Sequence, residues 1–322
     1  MNKFINILTY SILIVLIFLQ IHISAQDFQK IATTGFVFLE LPVTARSVAM
    51  GETGITMTNA AAEGLFTNPA LISLAPQRMS ANVSYADWYV ETTHQALGFI
   101  YAIPQFGTIG FQAIHFDFGE MEKTINPSRE QTGSYISLGT YSAGAYAIGI
   151  SYARSLTDKF SFGSSLKYVR ESIDVYHAEN VVADIGFLYQ TGFNSLRIGA
   201  FLQNFGLEAK YAQEKFKMPQ QLRLGISGEV WGSMASPNHL TLLAEAVHPN
   251  DADERIHLGL EAMISNAIVL RAGYKFGYDE ENLCLGGGLR FAVADKRFGF
   301  DVGYMNHEFL DMSLRYSLVV EF

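Results

Sequence analysis

In the last ten residues, Leu314, Tyr316, Leu318, Val320 and Phe322 fall on one face of an extended strand. Ser313, Arg315, Ser317 and Glu321 fall on the other, with Val319 the single apolar exception. The same period of two recurs from Met79 onward. Phe160, Phe162, Leu166 and Tyr168 alternate with Lys159, Ser161, Gly163, Ser165 and Lys167. Leu222, Leu224, Ile226 and Val230 alternate with Gln221, Arg223, Ser227 and Glu229, and Ile268, Leu270, Tyr274 and Phe276 with Arg271, Gly273 and Lys275. Phe298, Phe300, Val302 and Tyr304 do so with Arg297, Gly299, Asp301 and Gly303. Strands of this kind carry one apolar and one wet face, as a wall does with lipid outside and water or a plug inside.

Such runs number about 14, an even count that suits a single-chain barrel. They cover 79–89, 93–103, 107–118, 141–154, 159–171, 180–190, 194–205, 219–231, 238–248, 255–264, 267–277, 282–293, 296–306 and 310–322. Their connections form two sets. Pro104-Gln105, Leu156 to Asp158, Thr191-Gly192, Gly232 to Pro237, Ser265-Asn266 and Ala294-Asp295 are short turns. The opposite set holds 119–140, 206–218 and the acidic loops 250–254 and 279–281. Short turns at one end and long loops at the other are expected of an all-β, transmembrane antiparallel barrel with periplasmic turns. The ending through Tyr316, Leu318, Val320 and Phe322 resembles the terminal assembly signal of bacterial outer-membrane barrels. That resemblance implies outer-membrane lipid and the barrel-assembly machinery as partners.

Residues 1–25 read as a secretory signal, with Lys3 in the basic region, Ile12 to Leu19 as the apolar core and Ile23-Ser24-Ala25 before cleavage. No later window reads as a membrane helix. Residues 26–78 differ from the wall: Ala-rich Thr58 to Phe66 precedes Asn68-Pro69, an N-cap followed by proline at the first helical position. This segment reads as a hatch with short helices, and 79–322 as the barrel.

The net charge is −9, and about −10 once Lys3 leaves with the signal, which argues against a nucleic-acid partner. Cys284 is the only cysteine, so there is no disulfide framework, and its inward position reads as inert packing. No nucleophile elbow, phosphate loop, HExxH or cysteine pair occurs, so no enzyme activity and no cofactor are expected. His248, Asp251, Asp253 and Glu254 match no metal loop and read as solvated. Gly286 to Gly288, in mid-strand, mark a bend or a close approach of the hatch.

Arg197, Arg223, Arg271, Arg290, Arg297 and Arg315 share the inward face with Asp184, Glu229, Glu245, Glu261, Asp301 and Glu321. Interspersed opposite charges suit an ion-pair network that fills the lumen and anchors the hatch, or else a charged selectivity wall. Either argues against an open apolar channel. Trp88, Tyr89, Tyr101, Tyr152, Tyr168, Tyr274, Tyr278 and Tyr304 read as a membrane-interface girdle.

Several stretches together resemble one family: A-R-S-V-A-M-G (Ala45 to Gly51, with Arg46 and Gly51), T-N-P-A-L (Thr67 to Leu71, with Asn68, Pro69 and Ala70), F-G-T-I-G-F (Phe106 to Phe111), Ala147 to Gly163 with Leu166 to Glu171, and Q-N-F-G (Gln203 to Gly206). The chain is thereby similar to the PorV/PorQ family within the FadL-type barrels. The resemblance implies a 14-stranded barrel with a hatch in its lumen. It also implies a role beside the type IX secretion system, handling or anchoring secreted cargo, with loops 119–140 and 206–218 engaging those partners. The FadL-type likeness admits a second function, transport of hydrophobic small molecules across the outer membrane.

Overall fold

The computed structural model describes residues 34–125, 135–211, 214–307 and 313–322. The segment read as a signal, the start of the hatch at 26–33 and parts of both long loops lie outside them. The wall is built from β1 (Met79–Asp87), β2 (Thr93–Ile103), β3 (Gly107–Ile125), β4 (Ile136–Ser155), β5 (Phe160–Ile173), β6 (Tyr176–Gln190) and β7 (Arg197–Gly206). It continues through β10 (Gln221–Trp231), β11 (His239–Pro249), β12 (Arg255–Ile264), β13 (Ile268–Phe276), β14 (Glu281–Val293), β15 (Lys296–His307) and β16 (Ser313–Glu321). These 14 strands close into one antiparallel barrel, and the short strands β8 (Ala209–Tyr211) and β9 (Glu214–Phe216) form a separate hairpin between β7 and β10.

The seam joins β1 to β16, with Tyr85 opposite Tyr316 and Val83 opposite Leu318. Phe322 ends it by exchanging backbone hydrogen bonds with Met79. Alternation decides the register: Ser84, Lys167, Asp184, Glu245, Arg271 and Asp301 point inward and are buried, whereas Phe99, Ile150, Leu166, Leu224, Leu270 and Leu318 point outward and are exposed. A slip of one residue would exchange the two sets. So continuous an apolar outer band cannot face water, and it suits the hydrocarbon of a bilayer.

Both β3 and β4 run well past the expected 107–118 and 141–154, so much of 119–140 is a hairpin rather than a loop. Register shifts between Asp117 and Glu120 and between Glu122 and Thr124 break its pairing. Beyond the lipid both faces are wet, so no alternation announces these strands. Loop 206–218 also departs from a free surface loop. It folds back over the lumen, burying Ala209 and Met218 and setting Phe216 5.5 Å from the ring of Phe36. Its end pairs with the hatch, Thr34 bridging Lys217 and Gly35 N–H donating to the Lys217 carbonyl at 3.2 Å.

Inside the wall, residues 34–78 form a 3-10 turn (Val37–Glu40), helix α1 (Ala45–Ala49), a 3-10 turn (Ala61–Glu63) running into α2 (Gly64–Thr67), and a 3-10 helix (Pro69–Leu74). Thr44 caps α1, accepting from Ser47 N–H at 3.2 Å. Asn68 caps the last element, accepting from Ala70 N–H at 3.0 Å, with Pro69 at its first position. Helices this short do not hold by themselves, so the wall holds them. At two points where hatch backbone presses closest on the wall, the wall residue is glycine: a Cβ on Gly273 would lie 2.1 Å from the amide nitrogen of Gly51, and one on Gly163 would lie 2.4 Å from that of Ala70. Gly286 receives Ala49 in the same way, with 2.4 Å to its Cβ.

Candidate functional site

The hatch and wall meet through two surfaces of opposite character. Along β7 and β10 to β15 the contact is ionic. Arg46 grips Glu261 with Nε on Oε2 at 2.8 Å and Nη2 on Oε1 at 2.7 Å, and its Nη2 also donates to Asn59 Oδ1 at 2.7 Å. Glu261 accepts from Arg271 Nε at 2.7 Å, Arg271 Nη1 donates to Asp301 at 2.6 Å, and Arg290 takes both Asp301 oxygens at 2.9 Å. Glu245 accepts the backbone N–H groups of Gly54 and Ile55 at 2.5 and 2.9 Å while pairing with Arg223 at 2.6 Å. Arg197 pairs with Glu229 at 2.6 Å. Each carboxylate thus meets a guanidinium or hatch amides instead of water, which is the arrangement that makes burial of charge tolerable.

Other residues of the network escaped the sequence reading. Lys275 holds Glu52 and Glu281 at 2.5 Å each, and Lys167 holds Asp184 at 2.8 Å and Asn204 Oδ1 at 2.7 Å. The alternation places Lys167 and Lys275 inward. Nothing in the irregular hatch gives Glu52 or Glu63 a direction.

Of the remaining candidates, Gly51 sits at φ 67° against Gly273. Asn68 also donates from Nδ2 to the carbonyls of Ile55 and Phe187 at 2.8 and 3.1 Å, and Ala70 is fully buried. Tyr316, Leu318 and Phe322 point outward, with Val320 on the same face.

Arg315 does not join the ion pairs. Among the described residues it meets no carboxylate; it donates to the Val43 carbonyl at 3.1 Å, stands 2.6 Å from His94 Nδ1 and lies under the Trp88 ring. Its strand neighbours explain this, since Arg315 faces Ala86 of β1 and Gly303 of β15, neither of which offers a charge. Trp88, Tyr89 and Tyr278 also depart from the girdle. Trp88 and Tyr89 pack on His307 at the loop end, and Tyr278 lies over Lys275 Nζ at 3.8 Å. At strand ends the chain leaves the pleat, and Trp88 and Tyr278 cover the buried cations of Arg315 and Lys275.

The second surface is apolar. On β2 to β6, toward the loop end, Ile114, Phe116, Ala145, Ala147, Val169, Ala178 and Val182 all face inward and are buried. They line a cup filled by Phe36, Phe38 and Leu39, which are 1%, 4% and 4% exposed, and closed above by Phe216 and Met218. The charged interior read from the sequence therefore describes mainly one arc of the lumen, and the other is largely apolar, with the Lys167–Asp184 pair as its charged exception. Three alanines in the wall of the cup leave the room that the two phenylalanines take.

At the turn end a cavity of about 580 Å³ opens between Pro76 and the β14–β15 turn, lined by Arg46, Asn59, Glu63, Glu261, Arg297 and Glu321 among others. Glu63 is buried there, with Oε1 unpartnered among the described residues and Oε2 3.6 Å from Arg46 Nη1. Because Arg46 is already committed to Glu261, burial prevails over attraction and pushes the Glu63 carboxyl up to about 7.

No protein-family model and no curated protein matches the chain. Solved structures do share its fold. The CymD monoaromatic hydrocarbon channel is 14% identical, with 89% of this chain and 98% of that chain covered at a TM-score of 0.57. The Pseudomonas putida toluene transporter TodX is 13% identical, with 86% and 96% covered at 0.57. A Pseudomonas aeruginosa FadL homologue is 10% identical, with 87% and 98% covered at 0.54. The chain shares its barrel fold with these structures; at such identities the likeness speaks for fold alone.

Proposed function

We propose that this chain is a non-enzymatic outer-membrane barrel that admits small apolar molecules, with the strip Phe36 to Leu39 as a removable stopper in an apolar cup. The observation carrying this reading is the cup itself, an apolar recess at the loop end of the lumen filled by Phe36, Phe38 and Leu39. Burying each phenylalanine or leucine is worth about 1.5–3 kcal/mol, so an apolar solute taking their place offsets most of the cost of withdrawing the strip. Solved barrels of this fold are described as a monoaromatic hydrocarbon channel and a toluene transporter, which favours the same class of molecule. The charged arc serves to hold the rest of the hatch while the strip moves.

A second reading follows from the filled lumen and the PorV/PorQ resemblance: a sealed barrel of a type IX secretion system whose loop end receives cargo. It requires the strip to stay in place.

A disulfide separates the two. Thr34 and Lys217 are paired across a parallel bridge, within roughly 5 Å, a span a disulfide covers. With Thr34→Cys and Lys217→Cys, uptake of labelled toluene by expressing cells should fall to the empty-vector level when oxidised and recover on reduction. Uptake that ignores the lock would overturn the transport reading. Secretion-system proteins recovered equally with the locked and unlocked barrel would favour the second.

A further inference from the structure

The outer face of the wall is not uniform. Across β2 to β6 it carries a groove of about 880 Å³ whose floor is two small outward residues, Ser164 and Ala183, while Phe99, Phe111, Ile150 and Leu166 stand around it. Register explains the hollow. Ser164 faces Tyr152 on β4 and Ile185 on β6, and Ala183 faces Leu166, so the small residues lie on neighbouring strands among large ones.

One end of this groove is basic and aromatic. At the turn end Tyr101 and Tyr152 border it, and Arg78 donates to the Tyr101 hydroxyl at 2.5 Å with its guanidinium 5.0 Å from the centre of that ring. Arg154 is exposed on β4, two residues beyond Tyr152 and on the same face. Arg78 continues β1, whose Met79 pairs with Tyr101, and Tyr101, Ile109 and Tyr152 are successive partners across β2, β3 and β4. The backbones of the two arginines therefore stand three strand spacings apart, about 14 Å, with the Arg78 guanidinium leaning over Tyr101 of β2. Asp158 is the acid of the adjoining β4–β5 turn, and among the described residues it pairs with neither arginine. The chain as a whole carries −9, so two exposed cations over an apolar groove are a local reversal of its charge.

We infer that this groove is a binding site for one anionic glycerophospholipid of the turn-side leaflet. Its acyl chains lie along Ser164 and Ala183, and its phosphate sits between Arg78 and Arg154. An interfacial cation attracts an anionic head, aromatic hydroxyls belong at headgroup depth, and an apolar hollow replaces the loose packing of annular lipid. A second external groove supplies the comparison. It holds about 480 Å³ between β7 and β12, lined by Ile226, Leu242, Ala244 and Leu258. The first groove has its two arginines at the rim and not in the lining, whereas here neither the lining nor the adjoining turns 191–196, 232–238 and 265–267 hold an arginine or lysine. Phospholipid there has nothing to hold its head.

The test is native mass spectrometry of the full barrel in mild detergent, titrated with phosphatidylglycerol and, separately, phosphatidylcholine. One phosphatidylglycerol should bind tightly to the native protein. The double variant Arg78→Gln, Arg154→Gln should weaken it by roughly thirtyfold, a factor of about five for each cation. Ser164→Trp, which fills the groove and leaves the arginines, should also abolish it, whereas Ala244→Trp should not. Retained heat-resistant electrophoretic mobility confirms folding of each variant. Equal binding of phosphatidylcholine, or phosphatidylglycerol binding unchanged by the double arginine variant or by Ser164→Trp, would overturn the site.

Discussion

Glu63 shows how position decides a residue's behaviour. Its carboxyl is raised by burial from 4.5 to about 7, while the neighbouring Arg46 gives both strong hydrogen bonds to Glu261. A raised carboxyl binds its proton more tightly in the folded protein than in the unfolded chain. Its ionised form therefore costs stability above pH 7, and that cost disappears as the pH falls through 7 toward 4.5. Glu63→Gln should stabilise the barrel at pH 8 by on the order of 3 kcal/mol and change little at pH 4. Urea-unfolding midpoints in lipid at the two pH values check this; equal effects at both would show that the side chain acts through packing alone. Alternation suffices to turn Arg271, Glu261 and Asp301 inward, but it cannot say that Arg315 meets no carboxylate among the described residues. That depends on which three strands meet, a fact of register and closure.

At the scale of elements, glycines record where the hatch touches the wall. Gly273 and Gly287 are close in sequence, yet a Cβ on Gly273 collides with Gly51 while one on Gly287 comes no nearer than 3.5 Å to the Val269 carbonyl. Gly273→Ala should lower stability by roughly 2–3 kcal/mol and loosen the hatch, since the obstacle is backbone. Gly287→Ala should stay within about 0.5 kcal/mol. Denaturation midpoints with protease sensitivity of the hatch decide it, and equal effects from both would refute close approach as the reason for Gly273. The wall was readable from period-two runs because lipid punishes every misplaced side chain. The outer parts of β3 and β4, the β8–β9 hairpin and the course of the hatch were not, because both faces of those segments meet water or protein. Asn68-Pro69 is the exception, a local signal that needs no period.

For the molecule as a whole, the division of the lumen matters more than its filling. The ionic arc from β7 to β15 ties down the stretch from Arg46 to Ile55 by ion pairs and hydrogen bonds, whereas Phe36 to Leu39 lie in the apolar arc, held mainly by exclusion of water with Gln203 and Asn204 donating to the Leu39 carbonyl at 3.4 Å. Charge patterning exposed the first arc in the sequence. The second was hidden because alanine and valine on a wet-face position look like interruptions of the pattern. The most direct measurement is diffraction from crystals of the barrel soaked in bromobenzene, recorded at the bromine absorption edge. The account predicts an anomalous peak inside the lumen among Ala145, Ala147 and Val169, with Phe36 to Leu39 displaced. A strip unmoved and a cup empty of bromine, with peaks confined to the outer grooves, would contradict it.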